Sequence, residues 1–147
     1  MARAGVTITC ESARRSRVNK VDINGKSLLT PCYFPAISSC ATKYPCRALV
    51  KFLSGYSKPL LLSAYDLYNE LGIGTPMARQ FEGLSENITI LDSGRFESSW
   101  FNDSEWTFDR YDEVVNLAEP DFYTSFDVFP SETSDDFVHE SVRYIDK

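Results

Sequence analysis

The chain has 147 residues, 43% hydrophobic and 24% charged, with a formal net charge of -6. That is enough for one domain with its own core, and the 14% aromatic content argues against a disordered segment. No apolar run approaches the roughly 20 residues of a membrane helix, and the first residues lack the apolar stretch of a signal peptide, so no membrane partner is expected and the default compartment is the cytoplasm.

The first 40 residues read as β. Val6 to Cys10 has strand composition, and Arg17 to Ile23 alternates with Val21 and Ile23 on one side. Asn24-Gly25 marks a tight hairpin turn, because both residues tolerate positive φ. Leu28-Leu29 begins the return strand. Cys32 to Ile37 is a further apolar stretch whose pairing Pro35 limits. Pro45 then suits the first turn of a helix carrying Leu49, Phe52 and Leu53. Leu60-Leu61-Leu62 has the continuous apolar character of a strand buried on both faces. Ala64 to Leu71 forms a short helix before Gly72 and Gly74. Ile88 to Leu91 is the next buried strand, and the segment Ile88 to Phe96, read as strand, delivers Asp92 to the rim of the sheet. Thr107 caps a helix with Tyr111, Val114, Val115 and Ala118 at i, i+3, i+4 and i+7. Phe122 to Phe126 is another strand, and Thr133 or Ser134 caps a last helix with Val138, Val142 and Ile145 on one face.

Strands alternating with helices indicate a parallel sheet, and right-handed crossovers put all strand C-termini on one edge. The expected organisation is a single α/β domain over residues 1–147. A β-rich antiparallel opening spans 1–40, and β/α repeats span 41–147. Charge is split along it. Residues 1–58 hold ten Lys/Arg against Glu11 and Asp22, and residues 59–147 hold five basic and nineteen acidic residues. An acidic body disfavours non-specific nucleic-acid binding, whereas the basic head is able to touch phosphates. Cys10, Cys32, Cys40 and Cys46 form no C-x-x-C pair and accompany a single histidine, His139, so reduced thiols are expected rather than a metal site.

Three carboxylates fall just beyond successive core strands: Asp66, Asp92 and Asp127. In parallel α/β folds ligands bind at that edge, and in barrels it is the catalytic face. An isolated aspartate there is usually a cap or turn residue. Three in the same structural position point to a shared site. In Asp92-Ser93-Gly94 the glycine permits a tight turn and close approach of a ligand to backbone, and Phe96 offers a ring for stacking.

Five segments, in order, resemble the tRNA-guanine transglycosylase family, which includes relatives that insert 7-deazaguanines into DNA. Ala13-Arg14 with its hairpin looks like the family's opening. Thr30-Pro31-Cys32-Tyr33-Phe34-Pro35-Ala36 resembles T-P-x-F-M-P-V, and Leu61 to Leu67 resembles L-x-N-T-Y-H-L. Leu91-Asp92-Ser93-Gly94-Arg95-Phe96-Glu97 resembles T-D-S-G-G-F-Q, and Ser125-Phe126-Asp127 resembles A-F-D. Arg95 replaces a family glycine, Glu97 a glutamine, Asp66 a histidine and Phe129 a cysteine.

The resemblance implies a (β/α)8 TIM-type barrel, of which this chain carries about the first half after its antiparallel hairpin region. It implies exchange of guanine for a 7-deazaguanine in tRNA or DNA. A carboxylate attacks the sugar C1′ and a second manages the proton on the base, a logic akin to retaining glycosidases. By position, Asp92 is the acid/base residue and Asp127 binds the guanine-like edge. Ser93, Gly94, Phe96 and Glu97 line the base pocket. The family's nucleophilic aspartate and its zinc site would lie beyond Lys147, so no cofactor is expected within the chain, and a completing polypeptide or oligomer is an implied partner. The other reading is a catalytically inactive relative that binds a base or a completing chain.

Overall fold

The computed structural model describes residues 6–13, 16–57, 59–71 and 86–127. The expected helix around Val138, Val142 and Ile145 lies outside them. Three strands, β1 (Val6–Ala13), β2 (Ser16–Ile23) and β3 (Lys26–Thr30), form an antiparallel sheet in that order. Its second turn is Asn24-Gly25, with φ of 49° and 79°. Positive φ at both positions is what a two-residue turn needs to match the right-handed strand twist.

Four further strands, β4 (Ala36–Ile37), β5 (Pro59–Ser63), β6 (Ile88–Asp92) and β7 (Phe122–Tyr123), form a parallel sheet in sequential order. The helices are α1 (Cys46–Ser54), α2 (Ala64–Leu71), α3 (Arg95–Trp100) and α4 (Phe108–Ala118). Two expected strands are shorter than the sequence suggested. The strand read to Phe96 ends at Asp92, because Gly94 turns the chain at φ 70° and Arg95 starts α3. The strand read to Phe126 pairs only over Phe122–Tyr123.

Helix burial follows periodicity, with one correction. In α1 the buried stripe is Cys46, Leu49, Val50 and Leu53, at i, i+3, i+4 and i+7, while Phe52 is 61% exposed. Pro45 is its N-cap residue and supplies no side-chain cap. Instead Glu70 of α2 accepts hydrogen bonds from the N–H groups of Cys46 (2.7 Å) and Arg47 (3.1 Å), satisfying two orphan donors from a neighbouring helix. In α4, Tyr111, Val114 and Ala118 are buried as expected, although the Thr107 hydroxyl makes no cap bond.

Helices α1, α3 and α4 all contact α2, which fits a sheet whose crossovers all advance in one direction. Beneath them lie Ile37, Leu60, Leu62 and Leu91, packed with Val50, Leu67, Trp106, Tyr111 and Val114. The opposite sheet face is less covered. Strand register aligns Ala36, Leu61, Ile90 and Phe122 in one row, and each is half-buried or exposed. Parallel sheets ordinarily bury both faces.

The lower end of that open face is plugged by the antiparallel sheet. Ile23 and Leu28 pack with Ile88, and Val21 and Phe34 flank them. A polar clamp fixes the junction. Lys26 Nζ donates to Asp121 Oδ2 (2.8 Å) and to the Asn87 carbonyl (2.6 Å), while Asp121 also accepts from the Thr89 N–H (2.9 Å). The Asp121 side chain is only 4% exposed and that of Lys26 24%. Asp121→Ala strips a partly buried ammonium and a strand N–H of their acceptor together. The expected cost is about 2–3 kcal/mol, below that of a fully buried pair because Lys26 keeps some solvent. A urea titration followed by circular dichroism measures it, and a change under about 0.5 kcal/mol would show the clamp to be dispensable.

Candidate functional site

Register brings four polar residues level at the C-terminal edge of the parallel sheet. Ile37 pairs with Leu62, Leu62 with Leu91, and Leu91 with Tyr123. The next residues are Ser38, Ser63, Asp92 and Thr124. Side chains alternate along a strand, so Asp92 shares its face with Ile90 and tops the open face of the sheet rather than the helix-covered one.

The turn after Asp92 is tightly held. Gly94 N–H donates to Asp92 Oδ2 (3.3 Å). The buried Ser93 hydroxyl donates to Asp127 Oδ2 (2.7 Å) and accepts from the Arg95 N–H (3.2 Å). The Ser93 carbonyl accepts the indole N–H of Trp106 at 3.0 Å. Trp106 is itself buried, with Tyr65 and Tyr68 each placing a ring edge-on at 5.4 Å. A rigid aromatic cluster therefore fixes the backbone beside the carboxylate.

Two more carboxylates converge from the helices. Asp66, in the first turn of α2, is 2% exposed and accepts from the Ser39 N–H (2.7 Å) and the Ser39 hydroxyl. Glu97 of α3 is 5% exposed, and its Oε1 accepts from the Ser38 hydroxyl. Its other oxygen, Oε2, is buried without a hydrogen-bond partner among the described residues, as is Thr124 Oγ1. Buried polar atoms are nearly always paired, so an unpaired carboxylate oxygen and a hydroxyl, which accepts or donates, suit a ligand with donors of its own.

Burial pushes the Asp92 carboxyl above the usual carboxylate range. The Gly94 N–H opposes this, while the negative charges of Asp127 and Glu97 add to it. Burial likewise raises Asp66, against the bonds from Ser39 and with the help of Glu97 and Glu70. The edge thus holds carboxyls that stay protonated to higher pH than free ones, as acid–base work at a heterocycle requires. Cys40 is raised by burial and by Glu97 and Asp66, and Cys46 is pushed up to about 12 by burial, so neither is an activated nucleophile.

The expected residues sort as follows. Asp92, Ser93, Asp127 and Glu97 come together, Ser93 as a buried support and Glu97 buried rather than open. Gly94 adopts φ 70°, and the space a Cβ would take is filled by the Tyr65 backbone and the Ser63 hydroxyl, so its close approach is to α2. Phe96 is 58% exposed and pairs with Trp100 at 6.1 Å on the outward side of α3. Arg95 Nη1 donates to the Trp106 carbonyl at 3.2 Å, and its guanidinium sits 5.8 Å from the Phe126 ring centre. Sequence reasoning missed Ser38 and Ser39. Their only signal was position, immediately after the apolar Ala36-Ile37.

Among the described residues no group of three or more His, Cys, Asp and Glu is arranged to hold a metal ion, and no helix is long and apolar enough to cross a membrane. Compared with protein-family models and with curated proteins, the chain matches none.

Proposed function

We propose that this chain supplies the base-handling edge of a guanine transglycosylase built on a (β/α)8 barrel, exchanging guanine for a 7-deazaguanine in tRNA or DNA. The observation that carries the reading is Asp92. It tops the open face of a sequentially ordered parallel sheet, with a carboxyl raised by burial and two further carboxylates beside it. The open row Ala36, Leu61, Ile90 and Phe122 is what the inward face of a half-complete barrel would present.

The chemistry fits an acceptor-rich edge. A guanine-like base offers ring and amino N–H donors. Asp127, oriented by Ser93, accepts from one, and the unpaired Glu97 oxygen accepts from another. Asp92 holds or moves the proton on the base as it leaves and as its replacement enters. The resemblance assigns attack on the sugar C1′ to a carboxylate that follows the segments matched here. The test is exchange of radiolabelled guanine into tRNA and into duplex DNA, with the chain alone and with a polypeptide that completes the barrel. Label incorporated with the completed barrel is expected. No incorporation into either polymer by the completed barrel overturns the reading.

A second reading has its own observation. Ser38 and Ser39 already occupy one oxygen of Glu97 and both of Asp66, which suits a fixed base-binding subunit that performs no exchange. Calorimetric binding of guanine without label incorporation selects it.

A further inference from the structure

We infer that the outward face of α1, with the loop leading into it, is a docking surface for a single-stranded stretch of nucleic acid. Between Ser38 and Ser57 the sequence has three cations, Lys43, Arg47 and Lys51, and no Asp or Glu, in a chain whose net charge is -6. Four other described cations have partners. Lys20 pairs with Asp22, Lys26 with Asp121 and Arg110 with Glu105, while Arg95 bonds the Trp106 carbonyl. Lys43, Arg47 and Lys51 make no ion pair among the described residues, and all three are exposed. Glu70, a carboxylate beside them, already accepts from the backbone at the α1 N-terminus.

Exposed rings are interleaved with these charges. Tyr44 is 70% exposed, Phe52 61% and Tyr56 80%. Phe52 and Tyr56 lie one turn apart with ring centres at 4.9 Å, and Arg47 and Lys51 share the same four-residue spacing. Phe52 lies on the side of α1 away from its buried Cys46 and Val50, and Tyr44 and Tyr56 flank the helix, so none of the three rings serves the core. Cations that track phosphates, alternating with rings on which bases stack, are how sequence-tolerant single-strand surfaces are built. An open cleft of about 500 Å3 lined by Lys43, Tyr44 and Arg47, with Glu70 on its wall held to the α1 N-terminus, adds a concave end to the strip.

The strip also leads to the strand-end carboxylates. Ser39 bonds Asp66, and Lys43 is four residues on, at most about 14 Å of chain away. A polymer bound along α1 therefore reaches the edge where a base would be handled. The choice of a nucleic acid rests in part on the base-exchange reading, while the surface itself is argued from charge and ring exposure.

The test is fluorescence anisotropy of the full chain with a labelled single-stranded 12-mer, in RNA and DNA arms, across a salt series. Three phosphate contacts on a single strand give a slope of log affinity against log salt of about -2, and Arg47→Ala with Lys51→Ala removes about 1.4 of it. Phe52→Ala and Tyr56→Ala each weaken binding roughly tenfold and leave the slope unchanged. All four positions are exposed, and circular dichroism checks that the variants fold. The inference is overturned by an absence of 12-mer binding, by variants that bind as the parent does, or by sedimentation showing a dimer that Phe52→Ala dissolves, because a second copy would then cover the face. The 12-mer titration of the chain alone separates this inference from the base-exchange reading, because binding there needs no exchange: 12-mer binding without label incorporation by the completed barrel overturns only the base-exchange reading.

Discussion

Asp92→Asn lowers guanine exchange by the completed barrel about 10²–10⁴-fold, the range for loss of a positioned acid–base group, and raises the melting temperature at neutral pH. The two effects share one cause. Burial, with Asp127 and Glu97 nearby, holds the folded-state pKa of Asp92 above its unfolded value. The sign follows from linkage: stability from this group is fully present below the ordinary carboxylate range and is lost as pH rises through the raised folded pKa. As pH rises above the ordinary carboxylate range, placing charge on this buried carboxyl opposes folding, a cost that Asn lacks. Asn keeps a carbonyl oxygen able to accept the Gly94 N–H, so the turn is preserved. Thermal melts from pH 4 to 8 should show the parent losing stability relative to the variant across that window. Asp66 retains its own loss in both, since burial raises it too. Undiminished exchange would remove Asp92 from the mechanism, and a lower melting point at pH 7 would show that its ionised form is bound favourably.

Gly94→Ala is expected to destabilise the fold by about 2–5 kcal/mol. Two penalties combine. The residue sits at φ 70°, where an L side chain costs about 1–2 kcal/mol. A Cβ there would also lie 2.4 Å from the Tyr65 amide nitrogen and 2.5 Å from the Tyr65 Cβ. The first of these is backbone at the start of α2, so relief requires separating α2 from the β6–α3 turn, an overpacking cost of about 1–3 kcal/mol. Gly25→Ala is the control. It has φ 79° but no atom within 4 Å of the added carbon, so it carries only the conformational penalty. Urea unfolding of both variants isolates the collision, and equal losses at the two sites would show that α2 moves aside freely. Any displacement of the turn also shifts Asp92 and Ser93, so exchange by Gly94→Ala should fall more than its folded fraction does.

Much of the local structure was legible in the chain. Asn24-Gly25 announced its hairpin through positive φ, Leu60 to Leu62 its strand through continuous apolar character, and Tyr111 to Ala118 its helix through period 3.6. Boundaries were less so. The segment Ile88 to Phe96 reads as the strand that carries Asp92, yet Gly94 at φ 70° turns the chain and the strand ends at Asp92. Phe52 shares helical spacing with Leu49 and Leu53, yet it is exposed. The stripe that packs instead starts at Cys46, a small residue easily passed over.

The sequence by itself determined the alternation of strand and helix and the placing of Asp92 and Asp127 after strands, since both depend on neighbours a few residues apart. Tertiary structure alone decided which polar groups share the edge. Ser38 and Glu97 are 59 residues apart, Ser39 and Asp66 27, and Ser93 and Asp127 34. Strand register, a long-range property, brings Ser38 level with Asp92, and packing of the helices and of the chain after β7 adds Asp66, Glu97 and Asp127. Burial there, with the charges of Asp127 and Glu97, raises Asp92. Tertiary structure also turned Arg95 toward Trp106 and used Gly94 for helix contact rather than for an open approach. Local pattern is written in residues that touch along the chain, whereas the charge environment of a carboxylate depends on groups that only folding brings near.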